Sequence, residues 1–134
     1  NQMTPEETMM VESLTNPADV FNYVVGHLRK QGCQSLQEGE DGGCAYRGDG
    51  GTMCAVGALI ADDEYGPSLE NNSIVVLFEK NLLPTDLKDR IEPNLHMLSD
   101  LQALHDNYLE YKDGEFTEDV KAYIDALRVR WDIK

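Results

Sequence analysis

The residues able to do chemistry in this chain are few, and cysteine and histidine lead them. A thiol becomes nucleophilic when a helix amino terminus or a nearby imidazole lowers its pKa. Cys54 precedes a candidate helix start and His105 falls inside an apolar stripe, so Cys54 with His105 is the pair a thiol activity would use. No orienting third residue and no oxyanion signature accompany them. On a regular helix Asp106, the neighbour of His105, projects away from the stripe and is not placed to orient the imidazole. Free cysteine is among the most buried residue types even where it is inert, so a buried structural Cys54 is the expectation. Zinc would need four tetrahedral ligands, drawn here from Cys44, Cys54, His105 and either Cys33 or His27. These are scattered, without the tight paired spacing of structural zinc sites. The chain is therefore expected to be non-enzymatic and to carry no metal or cofactor.

The segment Cys44 to Tyr65 holds two of those thiols and four of the chain's eleven glycines. Gly48-Asp49-Gly50-Gly51 lacks the Lys-Ser/Thr of a phosphate loop and the oxygen spacing of an EF-hand, and reads as a turn. Ala45 to Arg47 and Thr52 to Ala55 flank it as short strands of a β-hairpin. With a three-residue loop Cys44 would lie opposite Cys54; with a four-residue loop Cys54 would face Ala45. Arg47 is expected among the carboxylates of Glu38, Asp41 and Asp62 to Glu64. It is there either as an ion pair fixing the loop or as an anchor for a ligand carboxylate or phosphate. Tyr46, Arg47, Asp62 and Tyr65 are the binding candidates, on the view that Tyr46 and Arg47 stay exposed over a buried Cys54, Val56 and Ile60.

Helices must position these groups. Pro5 to Leu14 is a short candidate. Asn16 as cap, Pro17 in the first turn, the stripe Val20, Phe21, Val24, Val25 and Leu28, and Gly32 as the stop define a strong amphipathic helix. Val56 to Ala61 leans to helix on its alanine and leucine content. Ser73 caps a helix from Ile74 to Leu82, and Thr85 caps another from Asp86 to Ile91. From Asn94 to about Tyr111, Met97, Leu98, Leu101, Leu104, Tyr108 and Leu109 form one stripe with His105 inside it. After the Lys112-Asp113-Gly114 turn, Thr117 caps a last helix bearing Val120, Tyr123, Ile124, Leu127 and Trp131. The fold class expected is mainly α: a single domain, 1–134, of five or six helices with one small β-hairpin near 44–55. Residues 1–15 make a peripheral helix, 37–43 a mobile loop, and the core comes from the stripes of the second, penultimate and last long helices.

Charge bounds the partners. Against 11 Lys+Arg stand 25 Asp+Glu, a net charge of −14 that repels phosphate backbones and anionic lipid heads. Direct nucleic-acid and membrane binding are disfavoured on that ground and not expected, whereas a protein partner with a basic surface fits it. A DNA-mimicking inhibitor is the variant in which Asp62-Asp63-Glu64 and Glu110 to Asp119 imitate a phosphate backbone, although Lys112 and Lys121 interrupt the second cluster. An odd count of three cysteines without C-x-x-C, no apolar run of membrane length and no basic-then-apolar leader read as a cytoplasmic, unsecreted protein. The Asn71-Asn72-Ser73 acceptor pattern then has no use.

The segment Cys44-x-Tyr46-Arg47…Gly51-x-x-Cys54-Ala-Val-Gly57-x-Leu59-Ile60-x-Asp62-x-x-Tyr65, with Leu101-Gln102-x-x-His105-Asp106 after it, carries a further signal. It resembles a group of uncharacterised small proteins of tailed bacteriophages and bacterial genomes. The resemblance implies a phage or prophage-like origin and the cytoplasm of a bacterial host, and brings no activity with it. Together with the acidity it points to an accessory protein that binds a host or phage protein.

Overall fold

The computed structural model describes residues 3–37 and 44–134, so the mobile loop expected at 37–43 lies, but for its first residue, outside the described residues. Helix α1 (Pro5–Ser13) opens on a capping box in which Thr4 Oγ1 accepts from the Glu7 amide at 3.1 Å and Glu7 accepts from the Thr4 amide at 2.9 Å. Val11 is its one fully buried side chain, packed toward the turn at Gly57–Leu59, while Met9 and Met10 are exposed. Helix α2 (Pro17–Gln31) is built as its punctuation dictates. Asn16 Oδ1 accepts from the Ala18 amide at 2.9 Å, Pro17 occupies the first turn, and Gly32 ends the helix at a φ of 73°. Val20, Phe21, Val24 and Leu28 are buried.

Helix α3 (Ile74–Glu79) is capped by Ser73, whose Oγ accepts from Val76, and stops short of the expected Leu82 because Asn81 turns left-handed at φ 57°. Helix α4 (Thr85–Ile91) is preceded by Pro84 at the cap position, so Thr85 is not the cap but the first helical residue. Helix α5 (Leu95–Ala103) buries Met97, Leu98 and Leu101, then widens into a π-turn at Leu104–Tyr108. Strands β1 (Tyr111–Lys112) and β2 (Glu115–Phe116) pair antiparallel, Tyr111 opposite Phe116. Their connection is Asp113-Gly114 with φ of 54° and 77°, the positive pair that a type I′ turn requires. Helix α6 (Glu118–Arg130) is capped by Thr117 and buries Val120, Ile124 and Leu127.

The mainly α fold with one small antiparallel hairpin is as expected, but the strand ladder lies at 111–116. Among the described residues, one bridge joins the two expected strands, Arg47 to Met53, closed by the Gly48 amide on the Thr52 carbonyl at 2.9 Å. Neither expected register is formed: that bridge sets Tyr46 across from Cys54, and Cys44 bridges to Leu36 instead. The reason is the turn, where Asp49–Gly51 coil tightly and Gly50 and Gly51 both take positive φ, lengthening the loop. Val56 to Ala61 forms only a 3-10 turn at Gly57–Leu59, with Ile60 already extended.

The stripes of α2, α5 and α6 meet in one core, joined by Ile74 and Leu77 of α3 and Leu87 and Ile91 of α4. Cys54 to Val56, Leu59 and Ile60 fill its remaining side. Gly57 allows that approach: a Cβ there would stand 2.1 Å from the Tyr46 carbonyl oxygen. Among the described residues no helix is long and apolar enough to cross a membrane.

Candidate functional site

The π-turn decides what His105 touches. Its wider winding changes the angular step after α5, so Asp106, expected to project away from the stripe, swings its carboxylate back onto its neighbour. His105 is fully buried, with Nδ1 2.8 Å from Asp106 Oδ1 and Nε2 2.9 Å from the Ser35 amide nitrogen. An amide N–H only donates, so Nε2 is the acceptor and the ring proton sits on Nδ1, where it is donated to Asp106. Both nitrogens are thereby spent on positioning.

Asp106 gathers further donors. Gln102 Nε2 donates to Oδ1 at 2.7 Å, while Gln102 Oε1 accepts from the Val56 amide at 3.0 Å and ties α5 to the thiol-bearing segment. The Cys44 thiol is the third donor. Burial alone would raise the Asp106 pKa, but the bonds from His105, Gln102 and Cys44 outweigh it and hold the carboxyl below its ordinary value. Burial and the Asp106 carboxylate push the Cys44 thiol up to about 11. Cys54 is 1 % exposed, and burial pushes it up to about 12 although the Gly57 amide donates to its sulfur at 3.3 Å. Cys44, Cys54, Gln102 and Asp106 line one wall of an open groove of about 450 Å³, with Tyr46 and Asn72 also on its lining.

Two sequence expectations can be placed against this geometry. For a Cys54 and His105 pair, the bonding partners are Gly57 and Gln102 for the sulfur and Ser35 and Asp106 for the ring. For a metal set of Cys44, Cys54 and His105, the group whose ligand atoms lie within 4.8 Å of one another among the described residues is Cys44, His105 and Asp106, without Cys54. As bonded here, that donor set is not free to take a metal ion. Ligation through Nδ1 would move the ring proton to Nε2, against the Ser35 N–H, leaving two donors face to face in a buried site. Of the remaining named ligands, Cys33 is exposed and His27 donates Nε2 to the Met53 carbonyl at 3.0 Å.

Tyr46, Arg47, Asp62 and Tyr65 are brought together, as a structural clamp. Arg47 Nη1 meets Asp62 Oδ1 at 2.7 Å, Nη2 donates to the Ile60 carbonyl at 2.9 Å, and the guanidinium lies 4.9 Å from the Tyr65 ring centroid. Only 10 % of the Arg47 side chain is exposed. Cys54, Val56 and Ile60 are buried as anticipated, but so is Tyr46, whose hydroxyl donates to the Asn72 carbonyl at 2.5 Å. Tyr46 and Arg47 therefore do not form an exposed face, and of the four only Asp62 is exposed. Glu38 and Asp41, the other carboxylates anticipated beside Arg47, lie outside the described residues.

Sequence reasoning missed the residue at the centre of that clamp. Glu70 accepts from the Tyr46 amide at 2.9 Å, the Arg47 amide at 3.1 Å and the Tyr65 hydroxyl at 2.6 Å. Nothing in its sequence context marks it. A second buried pair, Arg90 with Glu64, is bidentate at 2.5 and 3.0 Å, and Arg90 also donates to the Leu59 carbonyl at 3.0 Å. Gln102 could have been found, because it stands four residues before Asp106 on one helical face. No protein family, curated protein or solved structure compared with the chain matches it.

Proposed function

We propose that the protein is a non-enzymatic acidic accessory protein of phage or prophage type, acting in the cytoplasm of a bacterial host by binding a host or phage protein. The observation that carries this reading is the bonding of His105. Its Nε2 accepts from a buried amide and its Nδ1 donates to Asp106, so the one buried imidazole holds the fold together and activates no nucleophile. Both groove thiols keep their protons at neutral pH, Cys44 with a pKa of about 11 and Cys54 with one of about 12. The net charge of −14 then remains as the chain's strongest means of recognition, and it selects basic protein surfaces.

A thiol or zinc-dependent activity is the second reading, favoured by the closeness of Cys44, His105 and Asp106. It has less support, because the ring nitrogen it needs is already used. DNA mimicry has less still: Arg47 and Arg90 neutralise Asp62 and Glu64, and Lys121 sits 3.7 Å from Glu118.

The immobilised protein, exposed to lysate of a phage-bearing bacterial host at low and moderate salt, is expected to retain a reproducible basic protein. Nothing retained above a charge-matched acidic control contradicts the binding reading. Bound zinc at one equivalent, or fast native alkylation of Cys54, favours the second reading instead.

A further inference from the structure

A second groove lies on the other side of the π-turn, about 580 Å³ in volume, and shares Asp106 and Asn107 with the first. Tyr108 leaves the apolar stripe here, because the widened turn carries it outward, and it is 52 % exposed. Its ring stacks on Tyr123 of α6 with centroids 4.8 Å apart and planes 26° from parallel. Glu110 and Asp119 line the same groove, and no lysine or arginine among the described residues does. Asp119 forms no ion pair or side-chain hydrogen bond among the described residues, and Glu110 has only a long contact from Thr117 Oγ1 at 3.4 Å.

We infer that this groove is a docking site for an arginine side chain presented by a basic segment of the partner protein. The inference rests on the protein-binding reading above and names where and what that binding recognises. The argument is charge and shape complementarity. A half-exposed tyrosine stack offers a π face, and two carboxylates with few partners flank it. A guanidinium is planar and weakly hydrated, so it stacks on an aromatic face while its edge pairs with carboxylates. An ammonium is a strongly hydrated point charge and gains less from the same surface. The surplus of acidic residues elsewhere on the chain speeds encounter but does not select the groove.

The test measures fluorescence polarisation of a labelled glycine-spaced arginine peptide, and of its lysine counterpart, against the full chain at low salt. Tyr108→Ala is expected to weaken the arginine peptide about two- to fivefold, the range of an exposed cation–π contact. Glu110→Gln with Asp119→Asn is expected to weaken it by about five- to tenfold. Asp86→Asn with Asp89→Asn, two exposed carboxylates on α4, removes the same charge and is expected to change affinity less than twofold. Chemical-shift mapping on the unmodified protein, which needs no variant to fold, should place the arginine peptide at Asn107, Tyr108 and Tyr123. Equal losses from the two charge-removing pairs, equal binding of the lysine peptide, or shifts away from these residues would overturn the inference. A lysate partner still held by Tyr108→Ala would leave the protein-binding reading standing and this groove excluded. An arginine peptide held in the groove with no lysate partner would do the reverse.

Discussion

Replacing His105 by phenylalanine keeps a ring of similar size in a fully buried position and deletes both polar nitrogens. The magnitude follows from the groups left behind. The Ser35 amide, in a residue with 0 % exposure, loses its acceptor, and an unsatisfied buried donor costs about 1–3 kcal/mol. Asp106 loses one of its donors, and a hydrogen bond to a charged group contributes about 1.5–3 kcal/mol. Part of that second loss is recovered by water, because 35 % of the Asp106 side chain is exposed. The net expectation is a loss of about 3–5 kcal/mol. For 134 residues the entropy of unfolding is about 0.28 kcal/mol/K, so the midpoint of thermal unfolding should fall by roughly 11–18 °C. Far-ultraviolet circular dichroism against temperature reads the midpoint, and urea titration reads the free energy independently. A change under about 1 kcal/mol would refute the reasoning, since it would mean that the imidazole holds nothing and is free for other work.

Other outcomes follow from the same contacts. Glu64→Ala strands the Arg90 guanidinium, only 10 % exposed, and should cost about 3–5 kcal/mol by urea titration, with a double-mutant cycle against Arg90→Met showing strong coupling. Native alkylation followed by mass spectrometry should modify the exposed Cys33 first. At pH 8 about one Cys44 in a thousand and one Cys54 in ten thousand is thiolate, so both should lag, and Cys54 should react only on unfolding. Asp106 has a folded pKa below its ordinary 3.8, so the stability it contributes is present above that value and is lost as the pH falls through the lower folded value. Asp106→Asn should therefore flatten the acid limb of a stability against pH curve while lowering its plateau. The thiols act at the other end. Their raised values give stability that is complete below about pH 9 and declines as the pH rises toward 11 and 12, a decline that Cys54→Ala should reduce.

Much of the frame was legible because local chemistry writes it. Asn16, Pro17 and Gly32 bound α2, and the three- and four-residue spacing in α6 gives its buried face. The irregular segment was not legible, because side chains distant in sequence take the place of strand partners. Gln31 brackets Met53, accepting from its amide at 2.8 Å and donating to its carbonyl at 2.9 Å, and Glu70 takes the amides of Tyr46 and Arg47. A glycine-rich turn therefore looked like a hairpin there. The Asp113-Gly114 turn carries the stronger type I′ signal, but only two residues pair on either side of it, too few to stand out as strands. The Cys-Ala-Val-Gly signature acquires a packing explanation, since Gly57 is pressed against the Tyr46 backbone and Cys54 is buried beneath it.

At the candidate site the failure has one physical origin. A period of about 100° per residue holds through Leu101 and Leu104 and then breaks in the π-turn, which no residue type announces. Asp106 consequently turns inward and Tyr108 outward, so the extrapolated helix misplaced both the group that orients His105 and the exposed aromatic platform.

The central claim, that His105 is a structural residue with its proton on Nδ1, is open to one direct measurement. Long-range proton–nitrogen correlation spectra of the labelled protein distinguish a protonated from a bare ring nitrogen in each histidine. The account requires a bare Nε2 and a protonated Nδ1 at His105, unchanged when zinc is added. A protonated Nε2, or a ring whose nitrogen shifts move on stoichiometric zinc, would contradict it.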